Sequence, residues 1–149
     1  MNTPPQQDAS ATNTPTSGAE TIRQFLPTSP YVSHLGMRLV EMRPDVATLA
    51  LPFSDALVTI GTVVHGGAIA SLIDTCAMVA AWSGAETTPN MRGTTVGLTV
   101  SYLAAANHED LTATATVLRR GRNLVYLDVD VRTASGAAVA KGLVTYKLG

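Results

Sequence analysis

The fold is decided by residues 64–82, whose sequence is VHGGAIASLIDTCAMVAAW. Apolar side chains recur here at intervals of three and four residues: Ile69, Leu72, Ile73, Cys76, Val79 and Ala80. This spacing is typical of a helix with one apolar face, and no other long segment of the chain shows it. The sequence therefore predicts one long helix, which ends near Ser83 with Gly84 as its C-terminal cap.

The start of this helix carries His65, Gly66 and Gly67. The first N–H groups of a helix have no partner within the helix and carry partial positive charge. Glycine also lets a ligand approach the backbone closely. Bare N–H donors beside an imidazole suit the stabilisation of a developing oxyanion.

Asp74 is a charged residue in the middle of an otherwise apolar helix, where an unpaired charge is costly to bury. It follows His65 by nine residues, so the two lie roughly 180° apart around the helix and about 13 Å apart along it. One chain cannot easily bring both groups to one substrate. Two antiparallel copies of the helix can do so, and a site that uses both groups is therefore predicted to lie between subunits.

The composition limits the class of protein. A net charge of −1 gives no indication of nucleic acid or of a membrane surface as a partner. Hydrophobic residues make up 46% and charged residues 14%, a balance that favours a homo-oligomer. We find no secretory signal and no apolar run of about 18 residues that could span a membrane. The single cysteine, Cys76, excludes an intrachain disulfide and is compatible with the cytoplasm.

The rest of the chain predicts an α+β fold. Residues 1–20 are rich in Thr, Pro, Gln and Ser and are interpreted as a disordered tail, and residues 21–149 as a single domain. Short helical turns are expected at 21–26 and 29–34, and a loop at 54–63. Alternating patterns predict six strands, at 37–43, 46–53, 94–103, 110–119, 123–133 and 137–148.

The connections after the helix look short, which predicts that the last four strands are consecutive antiparallel neighbours. A curved antiparallel six-stranded sheet that wraps around the central helix would bury that helix best.

The segment GTVVHGG at 61–67, with Asp74 nine residues after His65, resembles the signature of the PaaI-type hotdog-fold acyl-CoA thioesterases. The segments VSYL at 100–103 and VLRRGR at 117–122 resemble the third strand of that family and the hairpin that follows it. The resemblance covers residues 36–149. It implies a hotdog fold and hydrolysis of an acyl-CoA to free acid and CoA, without a metal ion or organic cofactor.

The resemblance also implies catalytic roles. The backbone N–H of Gly66 would bind the thioester carbonyl, and His65 would orient the site. Asp74 of the partner subunit would act as nucleophile or general base, and the sequence does not distinguish these two roles. The hydroxyl of Thr95 would position the attacking water. The oligomer is then at least a dimer, and we expect a tetramer.

Further residues are assigned to substrate binding by the same resemblance. Gly67 lies beside the oxyanion donor, and Thr59 stands where the family commonly has Asn or Gln. The turn at 120–123 is expected to contact the phosphates of CoA through Arg120, Gly121, Arg122 and Asn123. The sequence does not identify the acyl group.

Two other functions remain open. A non-catalytic acyl-CoA sensor would usually carry a helical DNA-binding domain, and the first 35 residues are too short and too polar for one. A hotdog hydratase or dehydratase would resemble a different motif, in which a Pro-rich helix start and a Glu follow the His. His34 and His108 lack metal-ligand spacing, and Cys76 is interpreted as a core residue.

Overall fold

The computed structural model describes residues 17–149. In chain order, its helices and strands are α1 (Gly18–Phe25), α2 (Pro30–Leu35), β1 (Arg38–Arg43), β2 (Val46–Leu51), β3 (Val58–Ile60), β4 (Val63–Val64), α3 (Gly66–Ser83), β5 (Gly93–Tyr102), β6 (Leu111–Arg120), β7 (Leu124–Thr133) and β8 (Ala138–Leu148). Single turns of 3-10 helix lie at Leu26–Thr28 and Asp55–Leu57.

Six antiparallel strands form one sheet in the order β1-β2-β6-β7-β8-β5, and α3 packs across it against every one of these strands. The predicted α+β hotdog architecture is confirmed: an antiparallel six-stranded sheet holds one long central helix. Helices α1 and α2 cover part of α3, with Ile22, Leu26 and Val32 buried.

The predicted order of the last four strands is correct for β6, β7 and β8, which are consecutive antiparallel neighbours, and wrong for β5. β5 pairs with β8 at one edge of the sheet, and β6 pairs with β2 on the far side of β7. The connection at 103–110 is a crossover rather than a tight turn. Its eight residues can span up to about 27 Å when extended, which is enough to cross the three strand spacings, about 14 Å, between β5 and β6. The crossover is held by hydrogen bonds from Val64 N–H to Ala106 O and from His108 N–H to Thr62 O.

The predicted end of the N-terminal tail and the predicted loop at 54–63 also differ from the structure. The predicted tail ends too late, because Gly18 begins α1 and the Ser17 side chain accepts a hydrogen bond from the Glu20 N–H as its cap. The remainder of that predicted tail, residues 1–16, lies outside the described residues. The loop predicted at 54–63 contains the β3–β4 hairpin, whose strands of three and two residues are too short to show a periodic pattern.

The core is built on α3. Its side chains are buried on nearly all sides of the helix, including Leu72, Ile73, Cys76, Val79 and Ala80. The prediction that no segment is long and apolar enough to span a membrane is wrong by length and composition, because α3 has 18 residues and a mean hydropathy of 1.3. However, 61% of α3 is buried inside the protein. Such burial is typical of the core helix of a globular domain.

A cluster of polar contacts fixes the C-terminal end of α3. The Arg120 guanidinium donates to Asp45 Oδ1 at 2.6 Å and to the Ala81 carbonyl at 2.8 Å. The Ser83 hydroxyl donates to the Arg43 carbonyl at 3.0 Å. A Cβ on Gly84 would lie 2.2 Å from Asp45 Oδ1, so glycine is needed there. The helix thus ends where predicted, at a glycine that makes room for Asp45.

Replacing Arg120 tests this cluster. We expect Arg120→Ala to lower the free energy of unfolding by about 1–2 kcal/mol, because charge-assisted hydrogen bonds are lost from a partly exposed pair. Arg119→Ala is the matched control: Arg119 is exposed and its loss should change stability by no more than about 0.5 kcal/mol. Urea unfolding followed by circular dichroism measures both, and equal stability of the two variants would contradict the assignment.

Candidate active site

The N-terminus of α3 is capped by His65. The Nδ1 atom of its ring accepts a hydrogen bond from the Gly67 N–H at 2.8 Å, and its backbone N–H donates to the Leu57 carbonyl at 2.7 Å. Since Nδ1 is an acceptor, the neutral imidazole carries its proton on Nε2. The ring is exposed, so this Nε2–H can face a ligand.

Gly66 is the first residue of the helix and offers a free donor. Within residues 17–149, its N–H has no hydrogen-bond partner. The Tyr102 hydroxyl donates to the Gly66 carbonyl at 2.8 Å, and a Cβ on Gly66 would lie 3.2 Å from the Tyr102 ring. Gly66, Thr59 and Tyr102 line one cavity of about 380 Å³. The predicted oxyanion donor and the predicted substrate contact at Thr59 therefore lie together.

Asp74 lies about two turns after Gly66 in α3 and contacts Thr95, which was also predicted to be catalytic. The Thr95 hydroxyl donates to Asp74 Oδ1 at 2.6 Å. Among the described residues this is the one hydrogen-bond partner of the carboxylate, which leaves Oδ2 available to a water molecule or substrate. Asp74 is only partly buried, so the charge is not enclosed in the core.

A β-bulge at Val96 aims Thr95 at α3. The pairing of β5 with β8 shifts here: Thr95 pairs with Tyr146, and Gly97 pairs with Thr145. Strict alternation from Tyr102 would put Thr95 on the opposite face from the helix. The extra residue reverses the alternation and brings Thr95 to the inner face.

Asp74 and Thr95 line a second cavity of about 240 Å³. Tyr146 also lines this cavity, and its hydroxyl accepts a hydrogen bond from Trp82 Nε1 at 3.1 Å. Burial raises the pKa of Tyr146, the hydrogen bond from Trp82 lowers it, and the negative charge of Asp74 raises it again. The Tyr146 hydroxyl therefore stays protonated beside the carboxylate.

Gly66 and Asp74 lie far apart along α3. The helix is continuous from Gly66 to Ser83, and eight residues separate Gly66 from Asp74. At about 1.5 Å per residue, the two positions lie about 12 Å apart along the axis. This separation exceeds the span of a single thioester group.

The four residues predicted to contact CoA do lie together. Arg120, Gly121, Arg122 and Asn123 line a third cavity of about 290 Å³ beside the C-terminal end of α3. Their roles are unequal, since Arg120 is already bound to Asp45 and Ala81. Arg122 is exposed and is the freer cation of the two.

Other titratable groups are placed as core or surface residues. Burial raises the pKa of the Cys76 thiol to about 12, and its sulfur lies 3.4 Å from the carbonyl oxygens of Ala47 and Ala113. At neutral pH this thiol is protonated and not nucleophilic. In the described part of the chain, no group of three or more His, Cys, Asp or Glu could hold a metal ion.

Two tyrosines near Gly66 and Asp74 were not predicted from the sequence. Tyr102 contacts Gly66, and Tyr146 lines the Asp74 cavity. Tyr102 belongs to the quoted VSYL segment, which located a strand but indicated no contact. Tyr146 lies in β8, far from either motif in sequence, and only the β5–β8 pairing brings it to the site.

Substitutions at His65 test its role as the cap of α3. His65→Ala should lower the free energy of unfolding by about 1 kcal/mol, because the Gly67 N–H loses its acceptor. His65→Asn should restore that stability, since Asn is a good N-cap residue, without restoring an imidazole. Denaturant unfolding of both variants measures the effect; a His65→Ala variant as stable as the native chain would show that the cap contributes nothing.

Comparison with known proteins agrees with this geometry. The family model described as the thioesterase superfamily matches residues 61–140, more than half of the chain. Human acyl-coenzyme A thioesterase 13 is 35% identical over 92 residues, which cover 60% of this chain and 63% of the human protein. The match thus spans less than two thirds of that relative.

Two further proteins are similar over most of their length. The medium/long-chain acyl-CoA thioesterase YigI of Escherichia coli is 27% identical over 135 residues, covering 80% of this chain and 86% of that protein. The structure of the E. coli PaaI protein from the phenylacetic acid degradation operon aligns with a TM-score of 0.76 and 20% identity, covering 87% of this chain and 92% of that chain. The motif, the fold and the family match therefore agree: this chain belongs to the thioesterase superfamily and has the hotdog fold of its PaaI-type members.

Proposed function

We propose that this protein hydrolyses an acyl-CoA thioester to the free acid and CoA. The observation that carries the proposal is the hydrogen bond from Thr95 to Asp74, at 2.6 Å on the wall of a cavity. A carboxylate held by one oxygen, with the other open to a cavity, can take a proton from water or attack a carbonyl itself. The names of the human and E. coli relatives indicate acyl-CoA as the substrate class.

We further propose that each active site is shared between two subunits. β5 is an edge strand of ten residues, and its side chains Val96, Leu98 and Tyr102 are each more than 40% exposed. An exposed apolar edge of this length favours pairing with another chain. Two-fold antiparallel pairing of β5 would also set the two α3 helices antiparallel, with Asp74 of one subunit opposite Gly66 of the other.

The N-terminus of α3 would supply the electrostatic part of catalysis. As the carbonyl carbon becomes tetrahedral, negative charge develops on its oxygen. The free Gly66 N–H, strengthened by the helix dipole, can donate to that oxygen. His65, fixed by its bond to Gly67, would present Nε2–H beside the same oxygen or the sulfur.

Asp74 of the partner subunit would supply the nucleophilic part. As general base it takes a proton from water while the water oxygen bonds to the carbonyl carbon, and the C–S bond then breaks to release the CoA thiolate, which takes up a proton. As nucleophile it forms an anhydride with the acyl group, releases the thiolate, and is regenerated by water. Thr95 would hold one carboxylate oxygen in either route.

The remaining predicted contacts fit a CoA group. Arg122 and Asn123 are exposed on the wall of the third cavity, and Arg120 and Gly121 complete that wall. Guanidinium groups suit phosphate oxygens. Gly67 and Thr59 would contact substrate near the oxyanion donor. The exposed apolar side chains Leu118, Tyr126 and Leu143 on the sheet support dimers that pair into a tetramer. We also propose a cytoplasmic location, with which the single cysteine, Cys76, is compatible.

An acyl-CoA hydrolysis assay with Asp74→Asn tests the proposal. We expect kcat to fall about 100-fold or more with KM little changed, because the variant keeps the shape of the side chain but cannot accept a proton. Thr95→Val should lower kcat by a smaller factor. Release of free thiol from acyl-CoAs of two to sixteen carbons and from phenylacetyl-CoA is the readout.

Thr112→Val is the matched control, since Thr112 is a strand threonine in β6 that pairs with Ala50 and Arg132, away from the proposed site and from the edge strand β5. It should leave turnover unchanged. Full activity in Asp74→Asn would contradict the mechanism while keeping the enzyme class. Binding of acyl-CoAs without turnover by the native chain would instead indicate an acyl-CoA binding module.

A further inference from the structure

One wall of the Asp74 cavity is formed by residues outside the segment that matches the thioesterase family model. Phe25, Ser29, Tyr31 and Val32 line it from α1, α2 and the turn between them, upstream of residue 61. The opposite side is formed by α3 and β5, including Met78 and Thr95. Part of the cavity around the proposed catalytic carboxylate is thus formed by residues outside the thioesterase motif.

This wall is fastened to the core rather than loosely attached. Ile22, Leu26, Val32 and Leu35 are buried beneath it. The Tyr31 hydroxyl lies 2.8 Å from the Ser71 hydroxyl, which donates to the Gly67 carbonyl at 2.8 Å. The wall is therefore held against the first two turns of α3, and its side chains keep a defined distance from Asp74.

The surroundings of Asp74 differ in chemistry in two directions. Along β8, Tyr146 lines the Asp74 cavity, and Leu148, two residues further on the same face, lines the cavity of Arg122 and Asn123. The cavity suited to phosphates therefore lies beside the Asp74 cavity on this side. In the other direction the wall of the Asp74 cavity includes Phe25 and Val32, which carry no charge. An acyl-CoA has an apolar acyl group at one end and an anionic CoA group at the other. It therefore fits with its acyl group toward Phe25 and Val32 and its phosphates toward Arg122 and Asn123.

We propose that the segment formed by α1 and α2 binds the acyl group, and that Phe25 sets the longest acyl chain the protein accepts. This inference rests on the proposed thioesterase function. The cavity has a volume of about 240 Å³, and Phe25 forms part of its wall. A small cavity of this kind favours short acyl groups over long ones.

Substitutions that change the size of residue 25 test this assignment in both directions. The measured quantity is the ratio of kcat/KM for dodecanoyl-CoA to that for hexanoyl-CoA. We expect Phe25→Ala to raise this ratio about tenfold or more, because removal of the ring opens the end of the cavity to further methylene groups. Phe25→Trp should lower the ratio. Opposite changes from two substitutions at one position cannot arise from impaired folding.

Val40→Ala is the control, since Val40 is an exposed apolar residue on β1, at the opposite edge of the sheet from β5, and its ratio should equal that of the native chain. Equal ratios in both Phe25 variants and the native chain would overturn the inference. So would a parallel rise in KM for both substrates in Phe25→Ala, since that would place the CoA arm against Phe25.

Calorimetric binding of non-hydrolysable hexyl and dodecyl thioethers of CoA separates this inference from the proposed function. Absence of turnover with the native chain would refute the hydrolysis. The binding ratio of the two thioethers in the Phe25 variants would still decide whether Phe25 limits the chain length.

Discussion

Burial of α3 against the curved sheet is the interaction on which the rest of the structure depends. Leu72, Ile73 and Val79 are fully enclosed, and each such side chain contributes about 1.5–3 kcal/mol relative to exposure. A helix held on nearly all sides cannot tilt or slide without breaking these contacts. Its N-terminal N–H groups and the one carboxylate in its middle are therefore rigidly placed, which is what an electrostatic catalyst requires.

The same rigidity makes the proposed catalytic unit larger than one chain. Gly66 and Asp74 are separated by about 12 Å of straight helix, so one copy presents half of each proposed site. The edge strand β5 contributes both to the surroundings of Asp74 and to the proposed contact between subunits. Its bulge at Val96 turns Thr95 toward Asp74, and its unpaired edge offers the surface through which a second copy would supply the missing half.

The central helix and the six strands of the sheet could be predicted from the sequence, because their residue patterns are local. The spacing of Leu72, Ile73 and Cys76 predicted the helix, and alternating residues predicted six strands. The order of those strands depended on the crossover at 103–110, which a local turn signal misrepresented. Thr95 was identified only by resemblance, since periodicity alone puts it on the wrong face. Gly97 within the strand is the one local signal of the bulge. Phe25 and Tyr146 reach the site through tertiary packing, which no local pattern encodes.

Mixing two inactive variants shows whether the proposed site is shared between subunits. Asp74→Asn removes the carboxylate. Gly66→Pro removes the oxyanion donor at a helix position that tolerates proline, after a His65 whose ψ of 134° suits the residue before proline; Gly66→Ala keeps the donor and serves as control. After unfolding and refolding together, half of the dimers are mixed and each holds one intact site, so our account predicts recovery of about a quarter of native activity. A mixture as inactive as its parents would place both groups in a single chain and contradict the account.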